Sequence, residues 1–142
     1  MQILVVINSL ARGGAERVIS TLSRNWVSDG HSVSIALFDS SNQAYEAGGE
    51  IIDLGLPPQS RLPRRILTMY RRASRIRKVI RSRKPDRIIS FMETANFPTV
   101  MAARREGYLD RLIVSVRLNP ALFSPLNRFL MRRYYRHPAA VV

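Results

Sequence analysis

No cysteine occurs among the 142 residues, which excludes disulfides and thiolate metal sites. Histidine is nearly as scarce. His31 and His137 stand too far apart in sequence to suggest a ligand pair, and neither a metal nor another cofactor is expected. Long hydrophobic runs are missing as well. The longest, Ile3 to Ile7, falls far short of the roughly 20 apolar residues a membrane-spanning helix needs. Met1-Gln2 lacks the basic stretch of a secretory leader, and the apolar residues behind it run into a glycine turn rather than a cleavage site, so the expected location is cytoplasmic. Acidic residues number 10 against 23 Lys and Arg, a formal charge of +13. Lysine contributes only Lys78 and Lys84 to that excess. The rest is arginine, whose planar fork matches phosphate oxygens, so the partner should be anionic: nucleic acid, anionic lipid or a phosphorylated substrate.

What is present describes one globular domain. The 46% apolar content and mean hydropathy of −0.10 belong to a folding chain. A chain of this length buries roughly 68% of its unfolded surface, leaving no room for a second complete domain. Ile3–Ile7 reads as a strand buried on both faces of a parallel sheet. A turn-rich segment, Asn8 to Gly14, follows, and then Ala15, Val18, Ile19, Leu22 and Trp26 recur at helical spacing until Asp29-Gly30. Val33–Leu37 and Ile51–Leu54, the latter behind Gly48-Gly49, read as short strands. Leu62, Ile66, Met69, Ala73, Ile76 and Ile80 mark one stripe along a long helix that Pro85 ends. Arg87–Phe91 and Leu112–Val116 are further strands on either side of a helix near Asn96 to Glu106, and a helix around Leu126–Tyr134 precedes a last strand from Ala139. Alternating strands and helices predict an α/β, Rossmann-like three-layer domain with a mostly parallel sheet. A chain that stops just as a strand starts reads as cut from something longer.

Chemistry is expected at the carboxyl ends of the strands, where helix N-termini offer free N–H groups to anions. The turn from Asn8 to Arg17 has that placement, although neither a P-loop nor a G-x-G-x-x-G fingerprint is present. Gly13 and Gly14 either admit a ligand or only make the turn. Between Arg61 and Lys84 lie eleven Arg or Lys and no acid. Arg64, Arg71, Arg75 and Lys78 are expected opposite the apolar stripe with Arg65, Arg72 and Arg81 beside them, a face suited to anionic headgroups or a lipid-linked phosphate.

The string Gly13-Gly14-Ala15-Glu16-Arg17-Val18, then Leu22 and Asp29-Gly30-His31-Ser32-Val33, resembles the opening of family 4 glycosyltransferases. Pro85–Phe91 with Thr94-Ala95-Asn96, and Ser115–Pro120, extend the resemblance over nearly the whole chain. It implies that residues 1–142 are the N-terminal, acceptor-side half of a GT-B fold, cut before the donor-binding half, which carries two glutamates eight positions apart. It further implies a retaining transferase that takes a nucleotide-sugar donor, builds lipid-linked or surface glycans on a polyprenyl-diphosphate-linked acceptor at the inner face of the membrane, and does not act as this half alone. By matching motif, Gly13 and Gly14 would let the backbone approach the donor phosphate, with Arg12 or Arg17 adding charge; Arg17 as a solvated helix residue is the plain alternative. Where relatives carry a histidine, this chain offers Arg117 and Asn119; Arg117 is the catalytic candidate, able to stabilise the leaving phosphate, or else a partner for Glu93. Glu93, Thr94 and Asn96 are acceptor-pocket candidates, with helix capping as the alternative for Thr94 and Asn96.

Two readings compete. A nucleic-acid-binding module rests on charge alone, without aromatic interleaving or an RNA-binding signature, and nucleic acid is not the expected partner. A peripheral membrane module without catalysis shares the basic helix but leaves the glycine turn unexplained.

Overall fold

The computed structural model describes residues 1–57, 62–116 and 125–142. Six parallel strands form one sheet: β1 (Gln2–Ile7), β2 (Ser32–Leu37), β3 (Glu50–Asp53), β4 (Arg87–Phe91), β5 (Leu112–Ser115) and β6 (Ala140–Val141). Their order is β3-β2-β1-β4-β5-β6. The chain therefore winds outward from β1 on one side, returns, and winds outward on the other. The apolar run of β1 sits at the centre, with Val5 opposite Ile35 on one neighbour and Ile89 on the other. Its residues Leu4 to Ile7 are fully buried, as a strand covered on both faces must be.

Helix α1 (Gly14–Ser28) covers one face, placing Ala15, Ile19 and Trp26 against Ile3, Val5, Val33 and Ile35. Helices α2 (Leu62–Arg83), α3 (Glu93–Glu106) and α4 (Pro125–Tyr134) lie on the other, where Ile76, Val79, Ile80, Val100 and Ala103 pack on Leu4, Val6 and Ile88. The architecture is the three-layer α/β domain expected from the alternation. Asp29-Gly30 ends α1 as expected. Gly30 takes a left-handed backbone (φ +83) and its N–H bonds the Val27 carbonyl, while His31 N–H reaches Trp26.

Two expectations shift. Helix α3 begins at Glu93 rather than near Asn96 and contains Pro98, which has no N–H to give the carbonyl of Thr94 one turn back. The stripe on α2 buries Ala73, Ile76 and Ile80, but Ile66 is exposed, together with Leu67 and Tyr70. The first turns of α2 thus carry apolar side chains that the sheet does not cover.

Gly49 holds the entry to β3 at φ +94, and a Cβ there would run into the Val33 carbonyl. Gly30 is equally left-handed, but its missing Cβ points into open space. Replacing Gly49 by Ala should lower stability by about 3 kcal/mol, because strain and backbone overlap add. Gly30→Ala should cost about 1 kcal/mol, the left-handed penalty alone. Urea titration of both variants checks the ranking.

Candidate functional site

The order of strands reverses between β1 and β4, and an open α/β sheet leaves a crevice at such a reversal, outside the carboxyl ends. Asn8 and the glycine loop leave β1 on one side of it; Met92, Glu93 and Thr94 leave β4 on the other. A hydrogen bond from the Asn8 side-chain amide to the Thr94 hydroxyl spans the gap.

An open cavity of about 630 Å³ lies at the N-terminus of α1, lined by Arg12, Gly13, Gly14, Ala15, Glu16, Val18 and Met92. Gly13 caps the helix with an extended backbone (φ −176) that any residue could adopt. The Glu16 carboxylate folds back over Gly13, and a Cβ there would have to push that flexible side chain aside. No atom lies within 4 Å of where a Gly14 Cβ would be, so that position opens onto the cavity. Met92 reaches the cavity through a positive φ of 70, unusual for a long side chain. Its backbone is held there by its N–H on the Ser115 carbonyl (3.2 Å) and by its carbonyl, which accepts from Ala95 and Asn96.

Of the sequence candidates, Arg12, Gly13 and Gly14 line this cavity. Arg17 does not; it sits on the exposed side of α1, because helical rotation turns it away. Thr94 is exposed at the crevice. Asn96 is not the acceptor-facing residue its position suggested. It is fully buried, and its side-chain N–H donates to the Ser115 carbonyl at 3.0 Å, tying α3 to β5. Glu93 is also buried, and its Oε1 has no hydrogen-bond partner among the described residues. Burial pushes the nearby Tyr135 hydroxyl pKa up; Asn96 opposes this and the Glu93 charge adds to it. Arg117 and Asn119 lie outside the described residues.

Along α2, Arg64, Arg71, Arg75 and Lys78 are exposed, and among the described residues none has a carboxylate partner. The side chain of Arg65 lies outside the described residues. The helix has no acid of its own, yet its end is partly neutralised from elsewhere: Arg77 and Arg81 hold Glu106 at 2.7 and 2.8 Å, and Arg83 pairs with Glu50. Hydrogen bonds from Arg81, then Arg77, hold the Glu106 carboxyl below its usual range. This contribution to stability is present at neutral pH and fades as pH falls through the lowered value.

Arg72 is the largest departure. Expected on the lipid-facing side, it is 4% exposed. Nε and Nη2 donate to the Leu56 carbonyl (3.1 and 2.8 Å), and Nη1 donates to Thr94 O (3.1 Å) and Asn8 Oδ1 (3.3 Å). The guanidinium lies 4.0 Å from the centre of the Phe38 ring. Burial pushes its pKa down to about 10, so it stays charged at neutral pH. The helical period puts position 72 on the Met69–Ile76 face; its charge argued for solvent, and packing decided otherwise. Asn8 was read only as the start of the glycine turn and Met92 not at all, because an Asn after a strand and a Met before a helix carry no motif.

Residues 12–142 match the model of Glycosyltransferase Family 4. The chain is 33% identical over 139 residues to the GalNAc-alpha-(1->4)-GalNAc-alpha-(1->3)-diNAcBac-PP-undecaprenol alpha-1,4-N-acetyl-D-galactosaminyltransferase of Campylobacter jejuni. That match covers 95% of this chain and 38% of that protein. Among solved structures, sucrose-phosphate synthase from Thermosynechococcus elongatus superposes with a TM-score of 0.71 at 12% identity, over 99% of this chain and 42% of the other. MurG of Acinetobacter baumannii gives 0.58 at 14%, over 99% and 40%. These two likenesses establish the fold, that of GT-B N-terminal domains.

Removing Arg72 strips donors from two carbonyls and a side-chain oxygen at once. Arg72→Ala should destabilise by about 3 kcal/mol, and Arg72→Lys should recover only part of that, since an ammonium lacks the fork. Chemical denaturation measures both.

Proposed function

Because the chain belongs to glycosyltransferase family 4, we propose that it is the acceptor-side half of a retaining enzyme that moves a sugar from a nucleotide-sugar donor to a polyprenyl-diphosphate-linked glycan. On this reading a donor-binding half completes the active site, and residues 1–142 do not catalyse transfer alone. The observation that carries the proposal is the open cavity at the head of α1, where Gly14 presents backbone without a side chain. Free N–H groups and the helix dipole favour a diphosphate there, and Arg12 adds charge. Arg117, just past β5, is assigned to stabilising the departing phosphate, and Asn119 to the acceptor. Thr94 faces the acceptor side of the crevice.

The acceptor class is supported by the Campylobacter relative, whose name places its glycan on undecaprenol through a diphosphate. It is supported again by α2. Exposed Arg64, Arg71, Arg75 and Lys78 form a face without acid, next to the uncovered Ile66, Leu67 and Tyr70. Such a face is drawn to anionic headgroups at about 1 kcal/mol per near-surface charge. Among the described residues no helix is long and apolar enough to cross a membrane.

Two measurements test these assignments. In the full-length protein, Gly14→Ala should leave the melting temperature unchanged or slightly higher, since Ala favours a helix. It should lower kcat/KM for the nucleotide sugar at least about tenfold, the loss of roughly 1.4 kcal/mol of transition-state binding. Unchanged kinetics would remove the glycine loop from the site. Reversing Arg64, Arg71, Arg75 and Lys78 to Glu should cut co-sedimentation with phosphatidylglycerol-containing vesicles by more than about tenfold. Equal binding to purely phosphatidylcholine vesicles would count against an electrostatic surface.

A further inference from the structure

The hydrogen bonds around Arg72 have a direction. A guanidinium carries five N–H donors and no acceptor, so the Asn8 side chain must turn its Oδ1 toward it. The amide nitrogen of Asn8 then faces Thr94 and donates to its hydroxyl oxygen. A hydroxyl that has accepted from one side still holds its own proton. No acceptor for that proton is found among the described residues, and Thr94 is exposed. The proton is therefore left to point away from Asn8, on the exposed side of Thr94 at the mouth of the crevice. Pro98 supports the arrangement: lacking an N–H, it leaves the Thr94 carbonyl for Arg72 Nη1, which fixes the backbone of the same residue whose side chain ends the relay. Arg72 makes no ion pair among the described residues.

We infer that Arg72 and Asn8 are positioning residues that hold the Thr94 hydroxyl as a hydrogen-bond donor to a diphosphate oxygen bound at the crevice. The inference rests on reading that crevice as the transfer site, and it adds a specific donor to the glycine loop. The diphosphate belongs to the nucleotide sugar or to the lipid-linked acceptor; both present the same oxygens.

Asn8→Asp separates the relay from its scaffolding role. An aspartate still accepts from Arg72 and gains an ion pair, so the fold is kept or strengthened. Its second oxygen, however, can only accept, and it draws the Thr94 proton inward. Calorimetric titration of the full-length protein with UDP and, separately, with farnesyl diphosphate identifies which source is bound. For that probe, Asn8→Asp and Thr94→Val should each weaken binding at least about tenfold, the scale of one charge-assisted hydrogen bond. Thr94→Ser should restore it to within about twofold, and the double variant should be no weaker than Thr94→Val alone. Melting temperatures of Asn8→Asp should not fall. Wild-type affinity for both probes in Asn8→Asp, additive losses in the double variant, or no binding of either probe to the unsubstituted protein overturns the inference. Sugar transfer measured alongside keeps the two proposals apart: transfer with unaltered Asn8→Asp affinity removes the relay and leaves the transferase, whereas relay-dependent binding without transfer does the reverse.

Discussion

A guanidinium enclosed by protein is tolerated only when its N–H groups find oxygens in the right plane, and the oxygens that meet Arg72 come from separate parts of the chain. Leu56 follows β3, Asn8 follows β1, and Thr94 opens α3, while the ring of Phe38, just past β2, supplies the face beneath. One side chain thus joins the carboxyl ends of four parallel strands, where loops would otherwise move independently. Pro98 makes a place for it by leaving the Thr94 carbonyl without a helical partner. The crevice between β1 and β4 owes its shape to this contact as much as to the reversal of strand order.

The cations of α2 whose side chains are described fall into three groups with different consequences. Arg77, Arg81 and Arg83 meet carboxylates of α3 and β3 and fasten the far end of α2 to its neighbours. Arg72 is inside. Arg64, Arg71, Arg75 and Lys78 remain as an exposed face, and like charges spaced three and four apart repel unless something anionic approaches. The same helix therefore anchors in the core through one side and offers a binding face on the other. Its first turns, with Ile66, Leu67 and Tyr70 uncovered, lie beside that face and share its proposed partner.

The comparisons support different claims. The family match spans 131 of the 142 positions, counting from 12 to 142, and settles membership. Likenesses to solved structures at 12% and 14% identity speak to the path of the chain, and the path they share is that of a GT-B N-terminal domain. The chain spans 38% of the Campylobacter relative, so donor, acceptor and linkage come to it as proposals rather than as inheritance.

The sequence by itself determined the order and type of the elements, the three-layer class and the glycine loop at the head of α1. Each was written locally: a β-branched run that only a central strand buries, apolar spacing of three and four, and Gly30 at a helix end. It also carried the family in Gly13–Val18. Tertiary structure alone decided which polar residues face outward. Arg72 and Asn96 were read as surface or pocket residues because charge and polarity favour water, yet both are buried where carbonyls of segments distant in sequence accept their protons. Ile66 was read as core because its spacing fits the stripe, yet its side chain is exposed. Periodicity fixes the face of a helix on which a residue lies; what stands opposite that face depends on strands distant in sequence, and no local pattern encodes it.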